Sequence, residues 1–461
     1  MTFSGSSHRH GTTRMMSVPI GLPRLLISGG HLMDPANGIN GKMDLWIADG
    51  SLVALTESGK KLDGFEPDQV IHAAGNVICP GLIDLSARLR EPGFEYKATL
   101  ESEMRAAIAG GVTRLVCPPD TDPPLDEPGL VEMLKHRARN LIQAHVHPLG
   151  ALTVGLQGEH LTEMAELSEA GCVGFSQGPI PIVNTQVLQR AMQYAHTYDY
   201  SVWLYAMDPW IGKTGIAHAG PVSGRMGLSG IPVANETIAL HTIFELMRST
   251  GARVHICRLS SAAGIELVRQ AKREGLPITA DVAVHHLHLI DVDIADFDSN
   301  YRVLPPFRSQ RDRDAIRAGL VDGTIDVICS DHAPVDDDAK QLPFGEAEPG
   351  VTAIELLLPL TLKWARESGV SLDQAIRRLT VNAAAVLGRD AGQLSIGAQA
   401  DICMFNPDAS WLVNSKALFS QGGNTPYCGV EIQGQVNAVL VDGRCVFDRA
   451  RGGFHPDDTA R

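Results

Sequence analysis

The sequence lacks any apolar run long enough to cross a membrane. The longest, AIELLLPLTL, is about half of the roughly 18 residues that a membrane-spanning helix needs. The first twenty or so residues are polar and basic and lack the continuous apolar stretch of a signal peptide. We therefore expect a disordered tail over residues 1–23 and no membrane association. The start of translation, at Met1, Met15 or Met16, stays open.

An excess of positive charge is also absent. The chain has 39 Lys and Arg against 53 Asp and Glu, a formal net charge of −14, which argues against a nucleic-acid or anionic-membrane surface. The eight cysteines show neither Cys-x-x-Cys spacing nor a compact framework, so they are typical of reduced core thiols in a cytoplasmic protein. A hydrophobic fraction of 44% over 461 residues is enough for a large core and more than one domain.

Short apolar runs separated by Gly and Asp turns stand at both ends of the chain. Between residues 25 and 77 the runs LLISGG, DLWIADG, SLVAL and VIHAAG have the pattern of a small antiparallel sheet. Similar runs, DICMFNPDASWLV and VNAVLVDGRCVF, return near the other end. The pattern predicts one discontinuous β-sandwich domain made of residues 24–78 and 393–450, followed by a tail over 451–461.

The middle of the chain, residues 79–392, repeats a different unit. Apolar strand-like runs such as GVTRLVCPP, YSVWLYAMD and IDVICSDH alternate with helix-like stretches such as SAAGIELVRQAKREG. About eight such units favour an α/β fold, a (β/α)₈ TIM barrel with its functional residues at the C-terminal strand ends. An open doubly wound sheet is the alternative.

One segment carries the sharpest motif, PGLIDLSARLREPG from Pro80 to Gly93. It resembles the start of the barrel in cyclic amidohydrolases of the dihydroorotase type, which read P-G-x-I-D-x-H-x-H-x-R-x-P-G. Every position matches except the two histidines, which are replaced by Ser86 and Arg88. The resemblance continues in register to Val446 through CPPDTDP, GIPVANETIAL, YRVLPPFR, SDHAP and LSIGAQADICMFNP.

The resemblance implies a metal centre whose ligands are missing from this chain. Active members hold one or two zinc ions with the His-x-His pair, a bridging carboxylate, two further histidines and an Asp. Residues two apart in a strand point the same way, so Ser86 and Arg88 occupy the directions of the first pair. Gln177 stands at the bridging position, Tyr205 and Arg258 stand at the two further histidines, and Asp331 alone survives as a remnant.

Arginine is the wrong residue for a zinc ligand. The guanidinium stays protonated and has no lone pair to donate. Two unit cations about 4 Å apart repel by roughly 4 kcal/mol at an effective dielectric near 20, so Arg88 and Arg258 are expected to exclude zinc, and no cofactor is expected. We hypothesise that Asp331 pairs with one or both arginines. The rival hypothesis is an anion site formed by Arg88, Arg90 and Arg258.

The substrate side of the site is also depleted. Active members clamp the substrate carboxylate with the Arg of R-x-P-G, an Asn of M-P-N-T, an Asn of V-N-P-P-L-R and the His of D-H-A-P-H. Arg90 remains here as a substrate-pocket remnant, but Asp120, Leu304 and Val335 replace the other three groups. The sequence therefore predicts no competent catalytic residue.

Two alternatives keep a metal site open. The motif could be locally misaligned, with the true ligands elsewhere. Other histidines could also bind metal, because His145 and His147 have strand-like i, i+2 spacing and His285, His286 and His288 cluster on another strand.

The resemblance also implies a partner. In some bacteria a dihydroorotase-like chain without the zinc ligands associates with aspartate carbamoyltransferase in pyrimidine synthesis and is needed for that enzyme's assembly or activity. We therefore predict a catalytically inactive homologue that assembles with the aspartate carbamoyltransferase catalytic chain, a homodimer remaining open. The alternatives are an active dihydroorotase or other cyclic-amide hydrolase with unusual ligands, and a free-standing scaffold or sensor.

Overall fold

The computed structural model describes residues 22–141, 143–294 and 296–454. The first part of the chain forms six strands, and in the first of them the buried Leu25 and Ile27 alternate with half-buried residues. The strands are β1 (Leu25–Ser28), β2 (His31–Asp34), β3 (Ile39–Ala48), β4 (Ser51–Glu57), β5 (Gln69–His72) and β6 (Val77–Pro80).

The middle of the chain alternates strands and helices. Its strands are β7 (Leu82–Asp84), β8 (Val112–Cys117), β9 (His145–Pro148), β10 (Gly150–Ala151), β11 (Phe175–Ser176), β12 (Ser201–Tyr205), β13 (Ala217–His218), β14 (Gly230–Ile231), β15 (Arg253–Cys257), β16 (Ile278–Ala283) and β17 (Val327–Cys329). Its helices are α1 (Leu100–Ala109), α2 (Pro128–Asn140), α3 (Met164–Ala170), α4 (Thr185–Thr197), α5 (Pro221–Met226), α6 (Val233–Thr250), α7 (Ala262–Arg273), α8 (Gln310–Asp322), α9 (Asp337–Gln341), α10 (Leu357–Ser368), α11 (Leu372–Leu379) and α12 (Val381–Leu387).

Local sequence explains where several helices begin. Thr99 precedes α1 and accepts a hydrogen bond from the Ser102 backbone amide, while the Ser102 hydroxyl accepts from the Thr99 amide. Ser309 and Asp312 make the same reciprocal cap at the start of α8. Such caps satisfy backbone donors that the first helical turn leaves unpaired.

The barrel is a closed ring of parallel strands in the order β7, β8, β9 continuing into β10, β11, β12, β15, β16 and β17. A parallel bridge between Ala87 and His332 closes the ring beyond the ends of β7 and β17. The buried Asp84 carboxylate reinforces this closure by accepting from the backbone and the hydroxyl of Ser330. The predicted (β/α)₈ barrel is confirmed, and the open doubly wound sheet is wrong.

The ends of the chain meet in one sheet. The last strands are β18 (Ile402–Leu412), β19 (Glu431–Val441) and β20 (Arg444–Asp448), and β18 pairs with β6. The prediction of an antiparallel sheet is wrong in part, because β1 pairs with β5, and β2 with β6, in parallel. The exact domain limits stay a prediction, and the predicted tails lie largely outside the described residues.

Side chains fill the inside of the barrel, so it is a packed core and not a pore. Trp203 and Val327 are buried there, and α12 packs Ala383, Ala384 and Leu387 against the same cluster. In the part of the chain that the structure describes, no helix combines the length and the apolar character that crossing a bilayer requires.

Candidate functional site

Most of the residues singled out from the motifs lie at the C-terminal mouth of the barrel. Ser86 and Arg88 follow β7, Arg258 follows β15 and Asp331 follows β17, while Tyr205 is the last residue of β12. These are the strand ends where barrel proteins place their chemistry.

Arg88 reaches across the mouth to three partners. Its Nε donates to Asp120 Oδ2 at 2.8 Å, its Nη1 to Asp331 Oδ1 at 3.4 Å, and its Nη2 to the Tyr205 hydroxyl at 3.3 Å. The Ser86 hydroxyl donates to the same Asp331 oxygen at 3.4 Å. Arg88 thus ties the ends of β7, β8, β12 and β17 together.

Arg258 is buried more deeply, with its side chain 3% exposed. Its backbone amide donates to Asp281 Oδ1 at 2.6 Å and its Nη1 to Asp281 Oδ2 at 3.3 Å. Its Nε lies 3.3 Å from Asp331 Oδ1, and its Nη2 donates to the Tyr205 hydroxyl. The guanidinium also stacks over the Tyr205 ring, 4.3 Å from its centroid. Asp331 therefore pairs with both arginines.

We call Arg88, Arg258, Asp120, Asp281 and Asp331 the mouth cluster. Its three carboxylates face two guanidinium groups, and Asp281 also lies 2.9 Å from Nε2 of His255. The charges in the cluster are thus largely compensated within it, as buried charges must be.

The protonation of the cluster follows from these contacts. Burial alone would raise the pKa of Asp120, but the Arg88 guanidinium lowers it below the usual range. Burial alone would also raise the pKa of Asp281, but the Arg258 guanidinium lowers it. Both carboxylates are consequently ionised at neutral pH, and burial raises the pKa of Tyr205 so that its hydroxyl stays protonated.

The backbone around the cluster is strained. Arg258, Asp331 and Arg90 have φ angles of 56°, 48° and 62°, in the left-handed region that non-glycine residues rarely adopt. Such residues persist where surrounding contacts over-determine them, and they concentrate at binding and catalytic sites. The mouth therefore combines a strained backbone, which is typical of functional sites, with a cluster of paired charged side chains.

The residues at the family's ligand positions do not fit zinc. Arg88 and Arg258 have no lone pair to offer, and both donate to the Tyr205 hydroxyl and lie at ion-pair distance from Asp331. Gln177 turns away, because its amide donates to the Leu156 carbonyl at 2.8 Å and accepts from Thr153 at 3.0 Å. A divalent cation here would meet two guanidinium groups and a single carboxylate that they already hold.

The substrate-side positions are engaged as well. Arg90 Nε donates to the Pro334 carbonyl at 2.8 Å, and its Nη2 lies 4.0 Å from Glu348. The Val335 amide donates to Asn424 at 2.9 Å. Leu304 lines a small void of about 10 Å³ beside Tyr205 and Arg258. Arg88 and Arg258 pair with carboxylates, whereas Arg90 reaches Glu348 only at 4.0 Å, and Lys97 holds that carboxylate at 2.5 Å. Two of the three arginines of the rival anion site are therefore already paired.

The other histidines fall into separate environments. His285 and His286 are buried beside Phe307, and burial lowers the pKa of each to about 3. His145 lies at the opposite end of the barrel, where its Nε2 is 3.4 Å from both Asp401 and Asp442. Among the described residues that could group around a metal ion, this trio is one set and His255, Cys257 and Asp281 are another. Each set already includes a carboxylate paired with an arginine.

Sequence reasoning missed the role of two carboxylates of the cluster. Asp120 was singled out only as a replacement on the substrate side, whereas it pairs with Arg88. Asp281 was not singled out, although it is the only acid in the buried strand β16, ITADVA. A lone acid in an apolar strand of a barrel is the signal that points to such a partner, because an ionised group there needs a counter-charge.

Two family models match the chain. A model described as dihydro-orotase-like matches residues 75–263, and the amidohydrolase family model matches residues 176–447. In fold the chain is similar to L-hydantoinase (dihydropyrimidinase) from Arthrobacter aurescens, with a TM-score of 0.82 and 20% identity over 92% of this chain and 96% of that one.

Curated relatives span nearly the whole chain. A dihydroorotase-like protein from Pseudomonas putida is 42% identical over 417 residues, which are 90% of this chain and 97% of that protein. A dihydroorotase from Geobacter sp. (strain M21) is 38% identical over 423 residues, 92% of this chain and 99% of that protein. The chain belongs to the dihydroorotase-like branch of the amidohydrolase family.

Proposed function

We propose that this protein is a catalytically inactive dihydroorotase homologue that serves as a structural or assembly partner of the aspartate carbamoyltransferase catalytic chain. The residues of the barrel mouth support inactivity. The resemblance to dihydroorotase-like chains without zinc ligands supports the identity of the partner.

The observation that carries the proposal is the mouth cluster. A hydrolase of this family needs a metal to activate water, and Asp331 would take the proton from that water. Here Asp331 lies 3.4 Å from Arg88 and 3.3 Å from Arg258, so guanidinium groups occupy the space around it. Without the metal, Asp331 has no activated water to deprotonate.

The substrate groups support the same reading. A carboxylate clamp needs donors that are free to turn toward the ligand, and the Arg90 Nε already donates to the Pro334 carbonyl at 2.8 Å. Asp120, in the mouth cluster, stands where active members have a donor and is itself paired with Arg88 at 2.8 Å. A substrate carboxylate would therefore find an acid in place of a donor at that position.

Outside the mouth, buried polar contacts keep the barrel closed and its helices in place. The ring is closed by Asp84 and Ser330, and the buried His332 imidazole lies 2.5 Å from Glu103 on α1. A fold maintained in this way without its chemistry supports a binding role, in which the chain acts through its surface.

The alternative is an active dihydroorotase with unusual ligands, favoured by the name of the Geobacter relative. Metal analysis of the protein purified from zinc-supplemented cells, with a dihydroorotate hydrolysis assay, separates the two. We expect substoichiometric zinc and no turnover. Stoichiometric zinc with turnover would overturn the proposal of inactivity.

A designed variant tests whether the arginines of the mouth cluster exclude zinc. The combined variant Ser86→His, Arg88→His, Tyr205→His and Arg258→His replaces both arginines with metal-binding imidazoles. Zinc uptake by this variant and none by the wild type is the expected result. Uptake by the wild type would contradict exclusion by the arginines, whatever the variant does.

The partner is tested by co-expression with the aspartate carbamoyltransferase catalytic chain of the same organism. We expect the two chains to elute together at a fixed ratio in size-exclusion chromatography. Separate elution at micromolar concentrations, with carbamoyltransferase activity unaffected, would contradict the proposed partner. A free-standing scaffold or sensor would then be the remaining function.

A further inference from the structure

A second cavity lies at the N-terminal end of the barrel, opposite the mouth cluster. Its volume is about 480 Å³, within the range of roughly 300–1,000 Å³ typical of small-molecule sites. It is bounded by the start of β9, by α2, by Arg389 after α12 and by the turn between β19 and β20.

The walls of this cavity are cationic in a chain whose net charge is −14. Lys135 and Arg139 come from α2, Arg389 follows α12 and Arg444 begins β20. Among the described residues that line the cavity, Asp442 is the single acid. The local charge is thus opposite to that of the protein as a whole.

The nearby carboxylates are already neutralised by other groups. Asp401 pairs with Arg114 at 2.8 Å and with His145 at 3.4 Å, and Asp442 lies 3.4 Å from the same imidazole. Burial alone would lower the pKa of His145, but the two carboxylates raise it to about 9, so this imidazole is cationic at neutral pH. Arg114 and His145 together balance the two acids.

The four wall cations have no such balance. Lys135 Nζ donates to the Ala170 carbonyl at 3.1 Å. It also lies close to Gly171, since a Cβ atom on that residue would stand only 1.7 Å from Nζ. Arg139 donates to the Lys135 carbonyl. Within the described ranges, neither Lys135, Arg139, Arg389 nor Arg444 forms an ion pair with a carboxylate.

His147 adds an unsatisfied polar group to the same cavity. Its Nε2 is buried and has no hydrogen-bond partner among the described residues. Burial, followed by the charges of Arg114, His145, Arg389 and Lys135, lowers the pKa of His147 to about 3. The imidazole is therefore neutral at physiological pH and able to donate one hydrogen bond to a ligand.

We propose that this cavity binds a small soluble molecule through a phosphate group, with Lys135, Arg389 and His147 donating to the phosphoryl oxygens. Phosphate has the charge and the several acceptor oxygens that suit several cations and a neutral imidazole donor lining one cavity. The site is independent of the proposed function, because it lies at the other end of the barrel and needs no dihydroorotase chemistry.

The test is calorimetric titration of the full chain with orthophosphate and with pyrophosphate, at an ionic strength held constant with chloride. The variant Lys135→Met with Arg389→Met removes two wall cations. The control Arg190→Met with Arg225→Met removes equal charge from exposed positions on α4 and α5. We expect saturable binding by the wild type and the control, weakened about tenfold or more in the wall variant.

Several outcomes would overturn the proposal. Absence of saturable binding to either probe would do so, as would equal affinities of the wall variant and the control. Pyrophosphate weaker than orthophosphate would also contradict a cavity lined by several cations.

A second readout follows His147 directly. Proton–carbon NMR of the imidazoles, assigned with His147→Gln, gives its pKa with and without orthophosphate. A bound anion stabilises the imidazolium, so we expect the pKa of His147 to rise by about one unit or more. An unchanged value under saturating phosphate would place the anion away from His147 and refute the arrangement.

Discussion

The two ends of the barrel use arginine in opposite ways. At the mouth, Arg88 and Arg258 lie among Asp120, Asp281 and Asp331, and each guanidinium contacts at least two carboxylates. At the N-terminal end, Lys135, Arg389 and their neighbours line an open cavity. The nearby carboxylates are paired with Arg114 and His145 and not with these wall cations.

This difference shows that residue type alone does not make a binding site. Arginine at a strand end favours anion binding only when its charge is left over after nearby carboxylates have been paired. The mouth looks functional in its position and its backbone strain but is charge-compensated. At the other end, the sequence offered only the i, i+2 spacing of His145 and His147, and the cavity there retains uncompensated charge.

Removing one member of the mouth cluster is expected to have the largest effect. Arg258→Met leaves the fully buried Asp281 without its guanidinium partner, and breaking one side of a buried ion pair typically costs about 3–5 kcal/mol. Urea denaturation followed by circular dichroism measures the free energy of unfolding. A loss below 1 kcal/mol would mean that the cluster contributes little, and the contrast between the two ends would fail.

A cluster member nearer the solvent should matter less. Asp120 is 18% exposed and pairs with Arg88 at 2.8 Å, so Asp120→Asn should lower the free energy of unfolding by about 1.5–3 kcal/mol. Water and Asp331 partly replace the lost partner of Arg88. The same denaturation experiment gives the ranking, and a larger loss for Asp120→Asn than for Arg258→Met would reverse the burial argument.

Sequence reasoning located the mouth better than the cavity. The motif around Ser86 and Arg88 placed both residues at a strand end, and the retained Asp331 suggested their partner. The role of Asp281 was not predicted, because it depends on β16 lying beside β15. The pairing of strands determines that neighbourhood, and the local sequence pattern does not. The cavity escaped for the same reason, since Lys135 and Arg389 are separated by most of the barrel sequence.

The two histidines of β9 give opposite pH dependences. The pKa of His145 is raised to about 9, so its stabilising contribution is complete below its unfolded value near 6.5 and is lost as pH rises toward 9. The pKa of His147 is lowered to about 3, so the folded state loses stability as pH falls from about 6.5 toward 3.

Substitutions at these positions test the two signs. His145→Gln should cost about 1–2 kcal/mol at pH 6 and little at pH 9.5, whereas His147→Gln should stabilise the protein by a similar amount near pH 4. Both are read from denaturation curves at several pH values. Parallel pH profiles for the two variants would show that Asp401 and Asp442 do not distinguish these imidazoles.

The smallest stability effect should come from the cavity wall. Arg389 is exposed and forms no ion pair in the described part of the chain, so Arg389→Met should change the free energy of unfolding by less than about 0.5 kcal/mol. Uncompensated cations repel one another, so a slight gain at low salt that disappears as salt screens the charges is the expected direction. The denaturation midpoint, measured at low and at high sodium chloride, provides the comparison with Arg258→Met. A decrease in the free energy of unfolding as large as that of Arg258→Met would mean that Arg389 stabilises the fold as the mouth arginines do. The N-terminal cavity would then be a structural feature and not an anion-binding site.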